Sequence, residues 1–217
     1  METLQNISLP AFVVFEGVDG SGKTTFARAL ARYYTDVAPR HPLYANAFPG
    51  SIPGTLGEWV YRFHHKKVVD APSPEDVAPP ALQLLHVAAH VDAILNFIKP
   101  MLSKGGSVIL DRYWWSTYSY LRMSLPARQV WPVVNVEQAF LSSLHPPIVI
   151  YLVRSTSLKK DEISPASHAK LDLYYRELLA NERCKNHATY EISNDGPLEQ
   201  TWKKILASLE LPYQAFH

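Results

Sequence analysis

Residues 11–25 read AFVVFEGVDGSGKTT, and this stretch decides the fold. Ala11 to Phe15 is a bulky apolar run, which predicts a buried strand. Gly17 to Thr24 then matches the pattern G-x-x-x-x-G-K-(S/T) at every fixed position. Apolar residues at helical spacing follow from Thr25 to Tyr34, so a helix is predicted there. A strand that leads through a glycine-rich turn of this kind into a helix is typical of a phosphate-binding loop, the P-loop.

Each residue type in this turn suits phosphate chemistry. Glycines permit backbone angles that a Cβ would forbid, so successive N–H groups can turn toward an anion. The N-terminus of the following helix adds partial positive charge. Lys23 is expected to reach the β and γ phosphates of ATP, and Thr24 to offer its hydroxyl to Mg²⁺. The predicted nucleotide-binding residues are Gly17, Gly20, Ser21, Gly22, Lys23, Thr24 and Thr25.

An acidic residue at a strand end is the second expected anchor near Mg²⁺. Asp111 closes the apolar run from Ser107 to Leu110, and Arg112 follows it directly. Ligands of open parallel sheets gather at the carboxyl ends of the strands, so both side chains should face the P-loop. An arginine there offers a planar, bidentate grip on phosphate oxygens. We predict Lys23, Asp111 and Arg112 as catalytic residues, and Thr24 and Asp111 at the metal. A surface Asp–Arg pair that caps a strand is the alternative.

Strands alternate with helices along the chain, which predicts a parallel sheet with helices on both faces. The expected class is α/β, a three-layer P-loop NTPase fold with a central, mostly parallel five-stranded sheet and a short lid. We expect one domain, residues 1–217, with the lid at about 155–167. The predicted strands are Ala11–Phe15, Leu43–Phe48, Ser107–Leu110, Pro147–Val153 and Thr189–Ile192. The predicted helices are Thr25–Tyr34, Leu56–His64, Ala81–Leu102 with a bend near Pro100, Val136–Leu144, Leu171–Leu179 and Leu198–Leu209.

Composition narrows the class of protein. The chain has 217 residues, 47% of them hydrophobic, and 21 basic residues nearly balance 20 acidic ones. A net charge of +1 gives no general basic field for binding a nucleic-acid polymer. The single cysteine, Cys184, excludes a disulfide within the chain and favours a reducing, cytoplasmic compartment. Because no uninterrupted apolar run approaches 18 residues, no membrane partner is expected.

Motif content separates the kinds of P-loop protein. The sequence lacks the Asn-Lys-x-Asp motif that guanine-nucleotide switches need to read their base. It also lacks the Leu-Ser-Gly-Gly signature of transporter ATPases. Small-molecule kinases need instead a second pocket for an acceptor and a basic lid, and this chain offers candidates for both. The sequence therefore favours a small-molecule kinase.

Four segments carry a resemblance to a known family. Residues 15–25, FEGVDGSGKTT, look like the P-loop of thymidylate kinases, and residues 111–120, DRYWWSTYSY, resemble their Asp-Arg segment. Residues 48–58 are similar to the family's acceptor loop, and residues 85–90 fall where it carries a base-reading helix. The resemblance implies transfer of a phosphoryl group from ATP to a nucleoside monophosphate, most readily dTMP, and a homodimeric assembly.

The resemblance also implies roles for individual residues. Asp19 would hold the 3′-hydroxyl of the acceptor sugar, and Arg112 would clamp the acceptor phosphate. Asp111 would lie near Mg²⁺ and the transferring phosphate. Some members of the family carry an arginine where Gly20 stands, and others supply cations from the lid; here the lid candidates are Arg154, Lys159 and Lys160, with Lys160 taken as catalytic. The predicted acceptor-binding residues are Asp19, Phe48, His86, His90, Arg112, Ser116 and Tyr120.

Three departures from the family pattern leave the acceptor open. His86 and His90 stand where the family places a stacking aromatic residue and a base-bonding arginine. They can line the acceptor pocket, pack structurally, or, being four residues apart on one helix face, bind a metal. Ser51 stands where the family has an acceptor-loop arginine, and Arg62 is a possible substitute. The alternatives are therefore a kinase of a nucleoside or another hydroxyl acceptor, and a nucleotide-binding pseudoenzyme.

An aromatic cluster follows the Asp-Arg pair, and two interpretations of it stay open. Trp114, Trp115, Tyr118 and Tyr120 can form a stacking wall for a base or pack against the sheet. Packing is favoured for the two tryptophans.

Overall fold

Five parallel strands form one sheet in the spatial order β2-β3-β1-β4-β5. The computed structural model describes residues 8–37, 42–45, 48–50, 52–65, 67–68, 70–157 and 164–216. The strands are β1 Phe12–Glu16, β2 Leu43–Ala45, β3 Val108–Asp111, β4 Ile148–Val153 and β5 Thr189–Ser193. The expected α/β class and five-stranded parallel sheet are confirmed.

Helices lie on both faces of this sheet. Within the described residues the α-helices are α1 Lys23–Val37, α2 Leu56–His64, α3 Pro79–Ala93, α4 Lys99–Ser103, α5 Trp114–Arg122, α6 Ala127–Leu141, α7 Pro165–Cys184 and α8 Leu198–Ser208. A 3₁₀ turn, Pro74–Asp76, precedes α3, and a π-helical turn, Ile94–Ile98, joins α3 to α4.

The residues of β1 explain why it lies at the centre of the sheet. All five side chains of the strand are buried, as expected of a strand covered on both faces. Val13 and Phe15 face α1 and α8 in one apolar core. Val14 faces the opposite core, where α5, α6 and α7 pack. The three layers therefore follow from an apolar run that alternates between two covered faces.

The strand order decides where a ligand site can form. β1 lies between β3 and β4, so Phe15 pairs with Asp111 on one side and with Ile150 on the other. The carboxyl ends of β1 and β3 are thus neighbours at one edge of the sheet. The glycine-rich turn follows β1 at this edge, and the Asp-Arg pair lies at the end of β3 beside it.

One continuous helical stretch, Pro79–Ser103, is long and apolar enough to cross a membrane by length and composition alone. Core helices of folded domains meet the same criterion. This stretch packs against α2, α5 and α6, and it buries His90 and Ile94 within the fold. Its irregular part is the π-helical turn at residues 94–98, directly before Pro100. Proline cannot donate the backbone hydrogen bond that a regular helix needs, which accounts for a distortion just before it.

Three helices differ clearly from the prediction. No helix is predicted at α5, α6 begins at Ala127 rather than Val136, and α7 spans Pro165–Cys184 rather than Leu171–Leu179. Seven of the nine residues of α5 are buried, so the segment has no polar face to reveal a helical period. Pro132 lies inside α6 and hides the first half of that helix, because proline normally argues against a helix interior.

Candidate active site

A close approach by the side chain of Asn194 excludes larger residues at Gly22 in the glycine-rich turn. Gly22 has φ of +101°, and a Cβ there would lie 2.5 Å from Nδ2 of Asn194. That Nδ2 donates to the carbonyl of Ser21 at 2.9 Å. The hydroxyl of Thr201 in turn donates to Oδ1 of Asn194 at 3.0 Å. The end of β5 therefore supports the P-loop, a role that the sequence analysis did not assign to Asn194.

Lys23 begins α1 at the mouth of this turn. Its side chain is 5% exposed, and its ammonium donates to the carbonyl of Val18 at 2.9 Å. Burial and the nearby charge of Arg112 lower the pKa of Lys23 to about 8, against the opposing charges of Asp111, Asp19 and Glu16. The ammonium form therefore predominates at neutral pH, as a phosphate-binding lysine requires.

Thr24 and Asp111 meet across the two strand ends. The hydroxyl of Thr24 donates to Oδ2 of Asp111 at 2.5 Å. This bond places the carboxylate at the end of β3 next to the start of α1. Oδ1 of Asp111 is buried and has no hydrogen-bond partner. A buried carboxylate oxygen without a partner is costly unless a cation or donor completes it.

These two oxygen ligands fit Mg²⁺. The ion prefers oxygen and is commonly held by one or two carboxylates together with substrate phosphates. No group of three or more His, Cys, Asp or Glu side chains suited to a metal occurs within the described part of the chain. Thr24 and Asp111 would therefore hold a magnesium ion that arrives with a nucleotide. The spacing of His86 and His90 left a metal site open, but the described residues offer no third ligand for such a metal.

Arg112 connects the phosphate loop to the adjoining cleft. Its φ of +84° lies in the left-handed region, which costs free energy in a non-glycine residue and is common at functional sites. The guanidinium forms an ion pair with Asp19 and donates to Oγ of Ser116 at 3.2 Å. Burial disfavours its charge, but Tyr120 and Asp19 oppose burial and the pKa of Arg112 is raised well above its usual value. Arg112 is therefore a permanent cation in this cleft.

Asp19 receives a second hydrogen bond from the hydroxyl of Tyr120. Burial alone would raise the pKa of Asp19, but the charges of Arg112 and Lys23 and the Tyr120 hydrogen bond outweigh it and lower the pKa. The carboxylate is thus charged at neutral pH and can accept hydrogen bonds from a ligand.

Glu16 anchors the Asp-Arg segment from below, and the sequence analysis gave it no role. Its side chain is 0% exposed. Oε1 accepts from the backbone N–H groups of Tyr113 and Ser116 at 2.7 and 3.1 Å, and Oε2 accepts from the hydroxyl of Ser116 at 2.8 Å. These bonds cap the N-terminus of α5 with a carboxylate from β1. The signal available in the sequence was an acidic residue at the end of an otherwise apolar strand.

The charge of Glu16 should make stability depend on pH. Burial raises the pKa of Glu16 to about 7 from an ordinary value of 4.5, against the opposing charge of Arg112. Its contribution to stability is fully present below pH 4.5 and is lost as the pH rises through 7. We expect the free energy of unfolding of wild type to fall, relative to Glu16→Gln, by about 1 kcal/mol per pH unit between pH 5 and 7.

Urea unfolding of both proteins at pH 5, 6, 7 and 8 measures this difference. Glu210→Gln, at an exposed carboxylate, is the matched control and should run parallel to wild type. Parallel curves for Glu16→Gln as well would contradict a raised pKa at this position.

A cleft of about 540 Å³ opens beside the phosphate loop. It is bounded by the acceptor-loop residues Phe48 to Gly50, by α2, by α3 and by the start of α5. All seven residues predicted for the acceptor line it: Asp19, Phe48, His86, His90, Arg112, Ser116 and Tyr120. Six of the eleven polar residues that line the cleft are thus predicted from the sequence. The five that are not predicted are Tyr61, His64, His65, Gln83 and Thr117.

The histidines of the cleft have distinct environments. His86 Nε2 lies 2.6 Å from Nε2 of His64, so one imidazole donates to the other. Burial, with the neighbouring His90 and His64, lowers the pKa of His86 to about 3, so this ring is neutral at physiological pH. His90 stacks on Phe48 with ring centroids 4.4 Å apart. Both histidines thus contribute to the wall of the cleft.

Other predicted residues fall elsewhere. Lys159, Lys160 and Ser51 lie outside the described residues, as do residues 158–163 of the predicted lid, and residues 165–167 form the first turn of α7. Arg154 donates to the carbonyl of Asn194. Arg62 is exposed, donates to the Lys67 carbonyl at 3.4 Å and does not line the cleft, which argues against it as an acceptor-loop substitute. Trp114, Trp115 and Tyr118 are 5%, 0% and 4% exposed and belong to the core, whereas Tyr120 lines the cleft.

A known protein family shares the sequence of this site. The family model for thymidylate kinase matches residues 15–185, which include the glycine-rich turn, the Asp-Arg pair and the whole cleft. The chain belongs to the thymidylate kinase family. The resemblance noted from the sequence is therefore confirmed, and the family supports kinase chemistry for the site.

Individual members of the family are similar over different lengths. A thymidylate kinase of Roseiflexus castenholzii is 37% identical over 141 residues, which are 65% of this chain and 57% of that protein. A thymidylate kinase of Roseiflexus sp. has the same identity, and the match covers 58% of that protein. The chain therefore spans less than three fifths of the length of these two relatives. A thymidylate kinase of Francisella philomiragia is 26% identical over 92% of this chain and 97% of its own. The crystal structure of thymidylate kinase from Ehrlichia chaffeensis superposes with a TM-score of 0.71 at 19% identity, covering 91% of this chain and 97% of that one, which supports the fold.

Proposed function

We propose that this protein transfers the γ-phosphoryl group of Mg·ATP to dTMP and releases dTDP and ADP. The observation that carries the proposal is the contact between two strand ends. Thr24 of the P-loop is bonded to Asp111, and Arg112 pairs with Asp19 at the entrance of a second cleft. One edge of the sheet thus offers a nucleotide-phosphate site and an acceptor site that share a border.

The residues of this border suit phosphoryl transfer. Catalysis of this reaction depends on positioning and on neutralising charge on the phosphoryl oxygens. Lys23 would hold the β and γ phosphates at the nucleotide side, and Arg112 would hold the acceptor phosphate at the other. Thr24 and Asp111 would ligate Mg²⁺, which when bound neutralises phosphate charge. Lys160 remains the proposed lid cation.

The acceptor cleft supports a deoxynucleotide in particular. Asp19 is a charged hydrogen-bond acceptor beside Arg112, and it would receive the 3′-hydroxyl of the sugar. Phe48 and His86 both line the cleft and would contact the base. Ser116 and Tyr120 line the wall between these regions. A nucleoside monophosphate fits this distribution of charge better than a neutral nucleoside, because Arg112 is a partly buried cation.

ADP release with a panel of acceptors tests the proposal. We expect turnover with Mg·ATP and dTMP and little with thymidine. Turnover only with acceptors that lack a 5′-phosphate would favour a nucleoside kinase, and nucleotide binding without acceptor-dependent ADP release would favour a pseudoenzyme. Either result would overturn the assignment.

A homodimer in the cytoplasm completes the proposal. Large apolar side chains are 39–48% exposed on the outer faces of three helices: Leu56 and Trp59 on α2, Leu84 on α3, and Val136 and Phe140 on α6. A second copy of the chain would cover such a surface. Sedimentation velocity at several concentrations distinguishes a dimer from a monomer.

A further inference from the structure

Two backbone carbonyls of the glycine-rich turn accept hydrogen bonds from side chains far away in the sequence. The hydroxyl of Ser157 donates to the carbonyl of Asp19 at 2.8 Å. Nδ2 of Asn194 donates to the carbonyl of Ser21 at 2.9 Å. Both donors are buried, with Ser157 7% and Asn194 0% exposed. They follow β4 and β5, so the turn is held by the two strands that lie on one side of β1.

The direction of these carbonyls decides whether the turn can bind an anion. Ser21 lies between Gly20 and Gly22, whose φ angles of +75° and +101° are both in the left-handed region. A turn with such residues can form a concave nest in which N–H groups point at an anion. A carbonyl oxygen turned into the nest would repel a phosphate, so it has to point outward. There it needs a donor, because an unpaired buried carbonyl costs free energy.

The amide of Asn194 is fixed through both its side chain and its backbone. The hydroxyl of Thr201 donates to Oδ1 at 3.0 Å, which leaves the NH₂ group directed at Ser21. The reverse orientation would place Oδ1 against the Ser21 carbonyl, two acceptors with no hydrogen between them. The backbone N–H of Asn194 donates to the carbonyl of Val153 at 2.8 Å, and its carbonyl accepts from Arg154. Asn194 therefore offers the turn a donor in a fixed position.

The Ser157 bond acts on a residue that also belongs to the acceptor cleft. Ser157 holds the carbonyl of Asp19, whose carboxylate pairs with Arg112 and accepts from Tyr120. A shift of the Asp19 backbone would therefore move this carboxylate relative to Arg112. The Asn194 bond has no such connection, because Ser21 does not line the cleft.

We propose that Asn194 and Ser157 are positioning residues for the nucleotide phosphates, which hold the carbonyls of Ser21 and Asp19 away from the phosphate site. The proposal rests on the proposed function, in which this turn binds the phosphates of ATP. Both residues act through the backbone of the turn and need no contact with the nucleotide. Their reach differs, because Asn194 serves the nucleotide alone and Ser157 serves both the nucleotide and the acceptor.

Calorimetric titration with ADP and with dTMP tests the Asn194 bond without relying on turnover. Asn194→Ala removes the donor to the Ser21 carbonyl. We expect the Kd for ADP to rise by about tenfold to a hundredfold, the effect of leaving a buried acceptor unpaired, while the Kd for dTMP stays at the wild-type value. Asn96→Ala is the matched control, because Asn96 is exposed and donates to Asp92 at 2.7 Å. It should leave both constants unchanged.

Ser157→Ala extends the test to the carbonyl of Asp19. We expect the Kd values for ADP and dTMP both to rise by about threefold to tenfold, the effect of one lost hydrogen bond. Ser157→Thr keeps the hydroxyl and should restore both constants. Ser208→Ala is the matched control, because it removes a hydroxyl that donates to the Lys204 carbonyl on α8.

A wild-type Kd for ADP in either folded alanine variant would overturn the inference and leave the proposed function intact. Equal losses of ADP and dTMP affinity in Asn194→Ala would also overturn it, since a general loss of packing acts on both ligands. If Asn194→Ala does not fold, Ser157→Ala and its threonine counterpart carry the test. Absence of ADP binding by wild type would instead overturn the proposed function on which the inference rests.

Discussion

Replacing Lys23 by alanine should lower kcat for dTMP phosphorylation by about a hundredfold to a thousandfold. The ammonium of Lys23 lies at the mouth of the P-loop and donates to the Val18 carbonyl at 2.9 Å. In the reaction it would instead neutralise charge on the transferring phosphate, where alanine offers nothing. Steady-state ADP release at saturating ATP and dTMP measures the effect.

The control for this variant must separate catalysis from folding, because Lys23 is 5% exposed. Thermal unfolding and circular dichroism of Lys23→Ala should resemble those of wild type. Lys204→Ala changes an exposed lysine on α8 and should leave kcat unaltered. Ordinary turnover in folded Lys23→Ala would count against phosphoryl transfer at this loop.

Replacing Arg112 by alanine should raise the KM for dTMP by about a hundredfold, and should affect the KM for ATP far less. Arg112 lines the acceptor cleft as a partly buried cation and donates two hydrogen bonds within it, to Asp19 and Ser116. Removing it leaves Asp19 without its cationic partner and the acceptor phosphate without its clamp. Arg112→Lys should recover only part of the loss, since a lysine cannot make a bidentate grip.

Arg122→Ala is the matched control, because Arg122 is the last residue of α5, donates to the carbonyl of Leu125 and does not line the acceptor cleft. It should keep the wild-type KM for dTMP. Equal losses in ATP and dTMP binding for Arg112→Ala would mean that Arg112 serves the nucleotide side of the site.

Local motifs made the glycine-rich turn predictable. The glycine pattern, the strand before it and the helix after it all lie within residues 11–34, so one short window contained both the chemistry and its structural setting. The Asp-Arg pair was placed correctly for a similar reason, because it ends an apolar strand and parallel strands share a carboxyl edge. The residues predicted to bind the acceptor came from the family resemblance rather than from periodicity.

The residues that sequence reasoning missed act through tertiary contacts. Glu16 caps a helix about one hundred positions away, and Asn194 supports a loop 173 positions before it. Glu137 contacts α3 and α5 from a helix whose beginning was itself misplaced. No local spacing relates these residues to their partners. The helix α5 was missed because burial on nearly every side removed its amphipathic pattern.

The position of β1 has a consequence for how the protein is made. Its neighbours β3 and β4 begin at residues 108 and 148, and Asn194 reaches back to Ser21 from β5. A ribosome adds about 5–20 residues per second, so it needs several seconds to more than half a minute to synthesise these partners after β1. During this time β1 has no neighbouring strand to pair with. A nascent chain arrested before residue 194 would also lack the Asn194 hydrogen bond that supports the phosphate loop.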